Sequence, residues 1–149
     1  MSYNGYKSDM SIDERVMMAI VRAAERFKKE CSAIFKRCGL SFPQYNVLRV
    51  LDASKDGRNT MKDINQIMLV SGANMTGITK RLEKMGCIVR STDQNDERLK
   101  WLEITEKGRQ LVGSVANEKD QIVREYLKSY SNEEKSEILT TLNGILHSE

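Results

Sequence analysis

Two helical patterns followed by two β patterns fill residues 60–108, and few folds accommodate elements in that order. The first helix is predicted to begin at Thr60, whose hydroxyl can accept a free backbone N–H, with an acid three residues on at the positive helix end. Ile64, Ile67 and Met68 then recur at helical spacing. This spacing predicts one buried stripe on a short helix.

The second helix of this stretch has two distinct faces. Ser71 can cap its start, and Gly86 follows its last apolar turn as a glycine commonly does at a helix end. One face carries Met75, Ile78, Leu82 and Met85. The opposite face carries Ala73, Thr76, Gly77, Lys80 and Lys84. Close approach to another surface would justify Gly77 inside a helix, although a solvated face with a tolerated glycine explains it equally well.

A hairpin pattern follows the second helix. Ile88–Thr92 and Leu99–Ile104 are predicted strands, and in the second strand Leu102 faces away from Trp101. Asp93–Arg98 forms a polar tip between them. Helix, turn, helix and hairpin in this order predict a winged helix-turn-helix, a module that places one helix against DNA.

The tip of the hairpin carries an arginine that has two uses. Arg98 can enter a narrow, electronegative minor groove. It can also pair locally with Asp96, and the two interactions are compatible.

The stretch resembles the MarR family of bacterial transcription regulators over about Leu40 to Leu111. The residues that carry the resemblance are Leu40-Ser41, Gln44, Val47, Leu48, Arg81-Leu82-Glu83-Lys84-Met85-Gly86, Val89, Arg90, Asp93, Asp96, Arg98 and Ile104-Thr105-Glu106-Lys107-Gly108. The resemblance implies a mainly α fold with a small β wing, a two-fold dimer joined through its terminal helices, and an effector that is often aromatic or anionic. The chain departs from the family at Glu97, where members often carry a second basic residue.

The flanking residues are predicted to be helical and rich in apolar side chains. Ser11 starts a long helix that ends near Arg37, and Ser41, Thr105 and Ser131 start three further helices. We expect a dimerisation helix over 1–40, a winged helix-turn-helix DNA-binding domain over 41–110, and dimerisation helices over 111–149. The outer helices carry more apolar surface than the small DNA-binding domain can cover, so we expect a homodimer. A two-fold dimer suits a palindromic DNA site with half-sites ~34 Å apart.

The predicted DNA-binding residues are Ser71, Asn74, Thr76, Lys80, Arg98 and Lys100. Asparagine can read adenine in the major groove, and threonine can contact a thymine methyl group. The two lysines are expected to contact phosphate, and the arginine to enter the minor groove. Arg81 and Arg90 are expected to pair with acids of the wing.

Composition is compatible with this function and argues against others. The net charge of +3 permits a DNA surface without demanding one. No apolar run approaches the ~20 residues of a membrane span, and the polar start lacks the apolar core of a signal peptide, so a cytoplasmic protein is expected. The single histidine, His147, lies beside no metal-ligand cluster, cofactor motif or nucleophile pattern, so we expect neither an enzyme nor a metal or cofactor.

The three cysteines do not predict a disulfide framework. Cys31 and Cys38 lie roughly 10 Å apart along one helix, too far to bridge within it, although they could do so across a dimer. Cys87 is expected in the core.

The leading hypothesis is a dimeric DNA-binding regulator, a repressor that responds to a small molecule or to stress. The alternatives are a winged-helix module for protein–protein contacts, which Glu97 and the modest charge favour, and a redox-gated regulator.

Overall fold

Six helices and a three-stranded sheet make up the computed structural model, which describes residues 9–69 and 72–148. In chain order the elements are α1 (Ile12–Lys36), α2 (Phe42–Ala53), a short 3-10 turn (Lys55–Gly57), β1 (Arg58–Thr60), α3 (Met61–Met68), α4 (Gly72–Lys84), β2 (Ile88–Thr92), β3 (Lys100–Ile104), α5 (Glu106–Leu127) and α6 (Asn132–Leu146). The mainly α fold with a small β wing is confirmed. Ser71 lies outside the described residues, so its predicted role as a cap stays a prediction.

Hydroxyl side chains cap the helices where the sequence predicts them. At five helix starts a hydroxyl accepts the backbone N–H three residues on, which satisfies a donor that the helix leaves free. The capping residues are Ser11, Ser41, Thr60, Thr105 and Ser131. Ser41 and Ser131 also form reciprocal capping boxes with a Gln and a Glu, respectively. These local contacts fix the element boundaries around the predicted DNA-binding segment.

The sheet is antiparallel in the order β1-β3-β2. Trp101 in β3 stands opposite Thr60 of β1 and Ser91 of β2. The sequence does not predict β1, in which Arg58 and Asn59 precede the start of α3. Three residues are too few for an alternating pattern, and this strand exists because β3 supplies its hydrogen-bonding partners.

The core lies where α1, α2, α4, the sheet and α5 meet. Its fully buried members include Phe35, Val47, Leu48, Leu51, Ile64, Met75, Leu82, Ile88 and Leu102. Ile67 was predicted in the same stripe as Ile64, but it is 57% exposed. The core-facing direction of α3 runs through Met61, Ile64 and Met68, and Ile67 lies about 100° around the helix from Met68.

Two glycines allow close packing at the end of α4 and at the start of the wing. Gly86 ends α4 with a φ of +77°, a left-handed conformation that glycine adopts at little cost. Gly108 in α5 lies so close to the start of the wing that a Cβ there would be 2.5 Å from the backbone oxygen of Cys87. The wing is therefore packed directly on the first turn of α5.

The terminal helices leave apolar side chains uncovered. In α1 the apolar side chains pack on the core only from Phe27 onward, and most of those in the first half of the helix are exposed. The exposed apolar residues of the two terminal helices are Ile12, Val16, Met17, Met18, Val21, Leu139, Leu142 and Leu146. Within residues 9–69 and 72–148, no helix is both long and apolar enough to cross a membrane.

Candidate nucleic-acid interface

Helix α4 exposes the face that carries small and basic side chains, as the sequence predicts. Met75 and Leu82 are fully buried, and so is Thr79, a polar residue that the apolar pattern did not include. The hydroxyl of Thr79 donates to the backbone oxygen of Thr76 at 3.2 Å, which satisfies it inside the core. The exposed residues of α4 include Ala73, Asn74, Thr76, Gly77, Lys80 and Lys84.

The side chains on the exposed face of α4 project little from the helix near its start. The Thr76 hydroxyl donates to the backbone oxygen of Gly72 at 2.9 Å, so this side chain lies along the helix. A Cβ added to Gly77 would meet no atom within 4 Å. Nothing in the protomer therefore requires a glycine at this position, and the surface is open to a close approach from outside.

Two aspartates hold the tip of the wing in a fixed turn. One carboxylate oxygen of Asp93 accepts the backbone N–H groups of Asn95 and Asp96 at 2.9 and 3.1 Å. Asp96 in turn accepts from the backbone N–H of Arg98 at 3.0 Å and from its Nε at 3.3 Å. The Arg98 side chain is still 93% exposed, so the local pair and an outward-directed guanidinium coexist.

Lys100 extends the basic surface of the wing. Its Nζ donates to the hydroxyl of Thr92 at 3.0 Å, across the β2–β3 pair. Its side chain is exposed, so the ammonium keeps donors for an external anion.

The sequence containing these elements matches a known family. The sequence profile of the MarR family matches residues 39–99, which run from the end of α1 through the tip of the wing. The HTH-type transcriptional regulator TtmR of Methylorubrum extorquens (strain PA1) is 32% identical over 115 residues. Residues 39–99 of the chain are therefore similar to the MarR family.

The matches differ in how much of each protein they cover. The alignment with TtmR includes 77% of this chain but 58% of TtmR, so the chain spans less than two thirds of that relative. Sco3205 of Streptomyces coelicolor, a MarR family regulator solved in complex with DNA, has a TM-score of 0.78 at 20% identity and aligns over 96% of this chain and 91% of its own. BpsR of Bordetella bronchiseptica, whose DNA binding is regulated by 6-hydroxynicotinic acid, has a TM-score of 0.71 at 24% identity over 88% of this chain and 98% of its own. These two likenesses establish the MarR fold.

Two arginines of this chain do not form the pairs predicted for them. Arg90 pairs with Glu83 of α4, with 3.7 Å between its Nε and the carboxylate, and not with an acid of the wing. Arg81 forms no ion pair with a carboxylate of residues 9–69 or 72–148, and it lines a cleft between the start of α2 and the exposed face of α4. Both predicted pairs with wing acids are therefore wrong, and two of those acids, Asp93 and Asp96, accept hydrogen bonds within the tip instead.

Sequence reasoning missed one group of contacts at the wing. The guanidinium carbon of Arg58 lies 4.2 Å from the centre of the Trp101 ring, and the indole Nε1 donates to Asp93 at 3.0 Å. The hydrogen bond from Trp101 is the main cause that lowers the pKa of the Asp93 carboxyl, followed by the bond from Asn95. The signal available in the sequence was an outward-facing tryptophan on a strand, without a partner that local spacing could identify.

The cysteines are placed as core residues. Cys31 and Cys87 are buried, and burial raises the pKa of both thiols, which disfavours the reactive thiolate. All three cysteines are free, and Cys38 lies 3.6 Å from the hydroxyl of Ser114. Residues 9–69 and 72–148 contain no cluster of three His, Cys, Asp or Glu side chains that could hold a metal ion.

An open groove of about 1200 Å³ separates α1 from the start of α2. Its floor includes Leu40 and Phe42, and its rim is basic through Arg26, Lys29 and Lys36. Phe42 lines this groove, whereas Tyr45 is buried in the core beside it.

Proposed function

We propose that this chain is a homodimeric, sequence-specific DNA-binding transcriptional regulator, a repressor whose DNA affinity is modulated by a small-molecule or stress signal. The observation that carries the proposal is the outward face of α4, where Thr76, Gly77 and Lys80 are exposed, together with the exposed arginine at the tip of the wing. A protein that acts on chromosomal sites in this way works in the cytoplasm.

Each predicted contact residue has a role that its chemistry suits. Asn74 reads adenine and Thr76 contacts a thymine methyl group in the major groove. Lys80 and Lys100 neutralise phosphates, and Ser71 at the start of the recognition helix contacts the backbone. Arg98 enters the minor groove from the tip of the wing.

A second protomer covers the apolar faces of the terminal helices. The side chains of Val21 and Leu139 are 51% and 61% exposed, which is unusual for aliphatic residues that recur along the same helices. Pairing of residues 1–40 and 111–149 with their copies in a two-fold dimer would bury these faces and direct two α4 helices toward successive major grooves.

The groove between α1 and α2 is the site we propose for an effector. It lies between a helix of the proposed dimerisation region and the DNA-binding domain. A ligand bound there can therefore favour one spacing of the two DNA-binding domains of the dimer over another. Regulation of BpsR by 6-hydroxynicotinic acid supports a small molecule as the signal.

Binding to the promoter DNA of the chain's own gene tests the proposal. Fluorescence anisotropy at several salt concentrations should give a steep loss of affinity with salt, since each phosphate contact contributes about 0.9 to the slope of log K against log salt. Arg98→Ala should weaken binding and flatten the slope by about one, with little change in stability. Arg98→Lys is the matched control that retains the charge.

Salt-independent or undetectable binding of the wild-type chain would refute the proposal and favour the alternative of a protein–protein module. Unchanged binding by the Arg98→Ala variant would refute the wing assignment alone.

A further inference from the structure

Trp101 lies between the first strand and the tip of the wing. It is the only tryptophan of the chain and sits in β3, on the side of the sheet away from the buried Leu102. In the strand register Arg58 stands opposite Glu103, so it reaches Trp101 as a diagonal neighbour. The guanidinium lies over the ring at 4.2 Å, within the range of a cation–π interaction.

The other edge of the indole is fixed by the wing tip. Its Nε1 donates to one carboxylate oxygen of Asp93, and the second oxygen of Asp93 accepts the backbone N–H groups of Asn95 and Asp96. Asp96 then holds both the backbone and the Nε of Arg98. Continuous contacts therefore run from β1 through the indole to the exposed arginine.

We propose that Arg58, Trp101 and Asp93 act together as positioning residues that set the direction in which the Arg98 side chain projects from the wing. We call these three residues the wing clamp. The inference rests on the proposed function for the DNA contact of Arg98, but the closure of the clamp itself is independent of DNA.

Arg58 is exposed, but its charge acts on neighbouring groups of the wing. Its guanidinium is directed at the indole, and its positive charge also helps to lower the pKa of Asp93. A competing role for Arg58 is a direct contact with a DNA phosphate. The two roles differ in whether the effect of Arg58 depends on Arg98.

A double-mutant cycle in the full-length chain separates these roles. Arg58→Met should weaken binding to the promoter DNA by about two- to fivefold, the range expected for one exposed cation–π contact. In the Arg98→Ala background the same substitution should cause no further loss, because the arginine that the clamp positions is absent. Additive losses in the double variant would overturn the proposal in favour of a direct phosphate contact.

Lys55→Met is the matched control for charge. Lys55 is an exposed cation three residues before Arg58, and it does not touch the indole. Its substitution should leave the coupling between positions 58 and 98 unchanged.

Fluorescence of Trp101 tests the clamp without DNA. Arg58→Met should shift the emission to longer wavelength and increase quenching by acrylamide, Arg58→Lys should restore part of the wild-type signal, and Lys55→Met should leave it unchanged. Identical emission and quenching in Arg58→Met and wild type would overturn the clamp. Failure of wild-type DNA binding would refute the proposed function, while the emission experiment would still decide whether the clamp is closed.

Discussion

At the scale of single residues, Gly77 is the position where stability and binding are expected to diverge. It lies in the interior of α4 with open space around its Cα, so an added methyl group strains nothing in the protomer. Gly77→Ala should raise the free energy of unfolding by up to about 1 kcal/mol, because alanine favours the helix. The same methyl group should weaken binding to promoter DNA by standing between α4 and the groove, which urea denaturation and anisotropy would measure.

Gly113→Ala is the matched control, since Gly113 is also an exposed helical glycine with no atom within 4 Å of its Cβ position. It should give a similar gain in stability with unchanged affinity. Wild-type affinity in the Gly77→Ala protein would contradict a close approach of α4 to DNA.

Asp93 gives a second residue-scale prediction, which concerns pH. The bond from Trp101 is the largest cause of its lowered pKa, so its carboxylate stabilises the wing above the ordinary Asp pKa. This contribution is lost as the pH falls through the lowered pKa of the folded state. Trp101→Phe should therefore raise the pKa of Asp93 toward its ordinary value, which an NMR titration of the carboxyl carbon would follow.

Asp120 provides the internal reference for that titration. Its pKa is also lowered, mainly by a hydrogen bond from Lys119, and it lies on α5 away from the wing. Its titration should be the same in both proteins, and an unchanged Asp93 titration in Trp101→Phe would contradict the assigned cause.

At the scale of elements, the close packing of α5 on the wing predicts opposite effects at two glycines of one helix. Gly108→Ala would place a methyl group 2.5 Å from the backbone oxygen of Cys87, so the helix and the wing must separate. We expect a loss of about 1–3 kcal/mol in the free energy of unfolding, the usual range for overpacking. Equal stability of the Gly108→Ala and Gly113→Ala proteins in urea denaturation would contradict this packing.

Elements set by local chemistry could be predicted from the sequence. Thr60 and Thr105 act on groups three residues away, so hydroxyl and spacing identify both helix starts. β1 and the contact of Arg58 with Trp101 depend on strands 43 residues apart in sequence, and no local pattern encodes their register. The outward face of α4 was predictable from its 3.6-residue period, whereas the pairing of Arg90 with Glu83 depends on how the wing packs on α4.

At the scale of the whole molecule, the exposed terminal helices predict the state of assembly. Val21 and Val89 are both 51% exposed, one on α1 and the other on the wing strand β2. Val21→Glu should convert a dimer to a monomer by burying a charge in the interface, and Val89→Glu should remain dimeric. Analytical ultracentrifugation at micromolar concentration would measure both, and a monomeric wild-type chain would contradict the proposed assembly.

Thr60 connects the sheet to the helix pair without an intervening residue. It is the last residue of β1, paired with Trp101, and its hydroxyl also caps α3. We therefore expect a tilt of the hairpin to be passed to α3. If the hairpin and α4 both contact DNA as proposed, this connection should restrict the distance between the base pairs under each of them, and an operator with one base pair inserted between these positions should lose one of the two contacts.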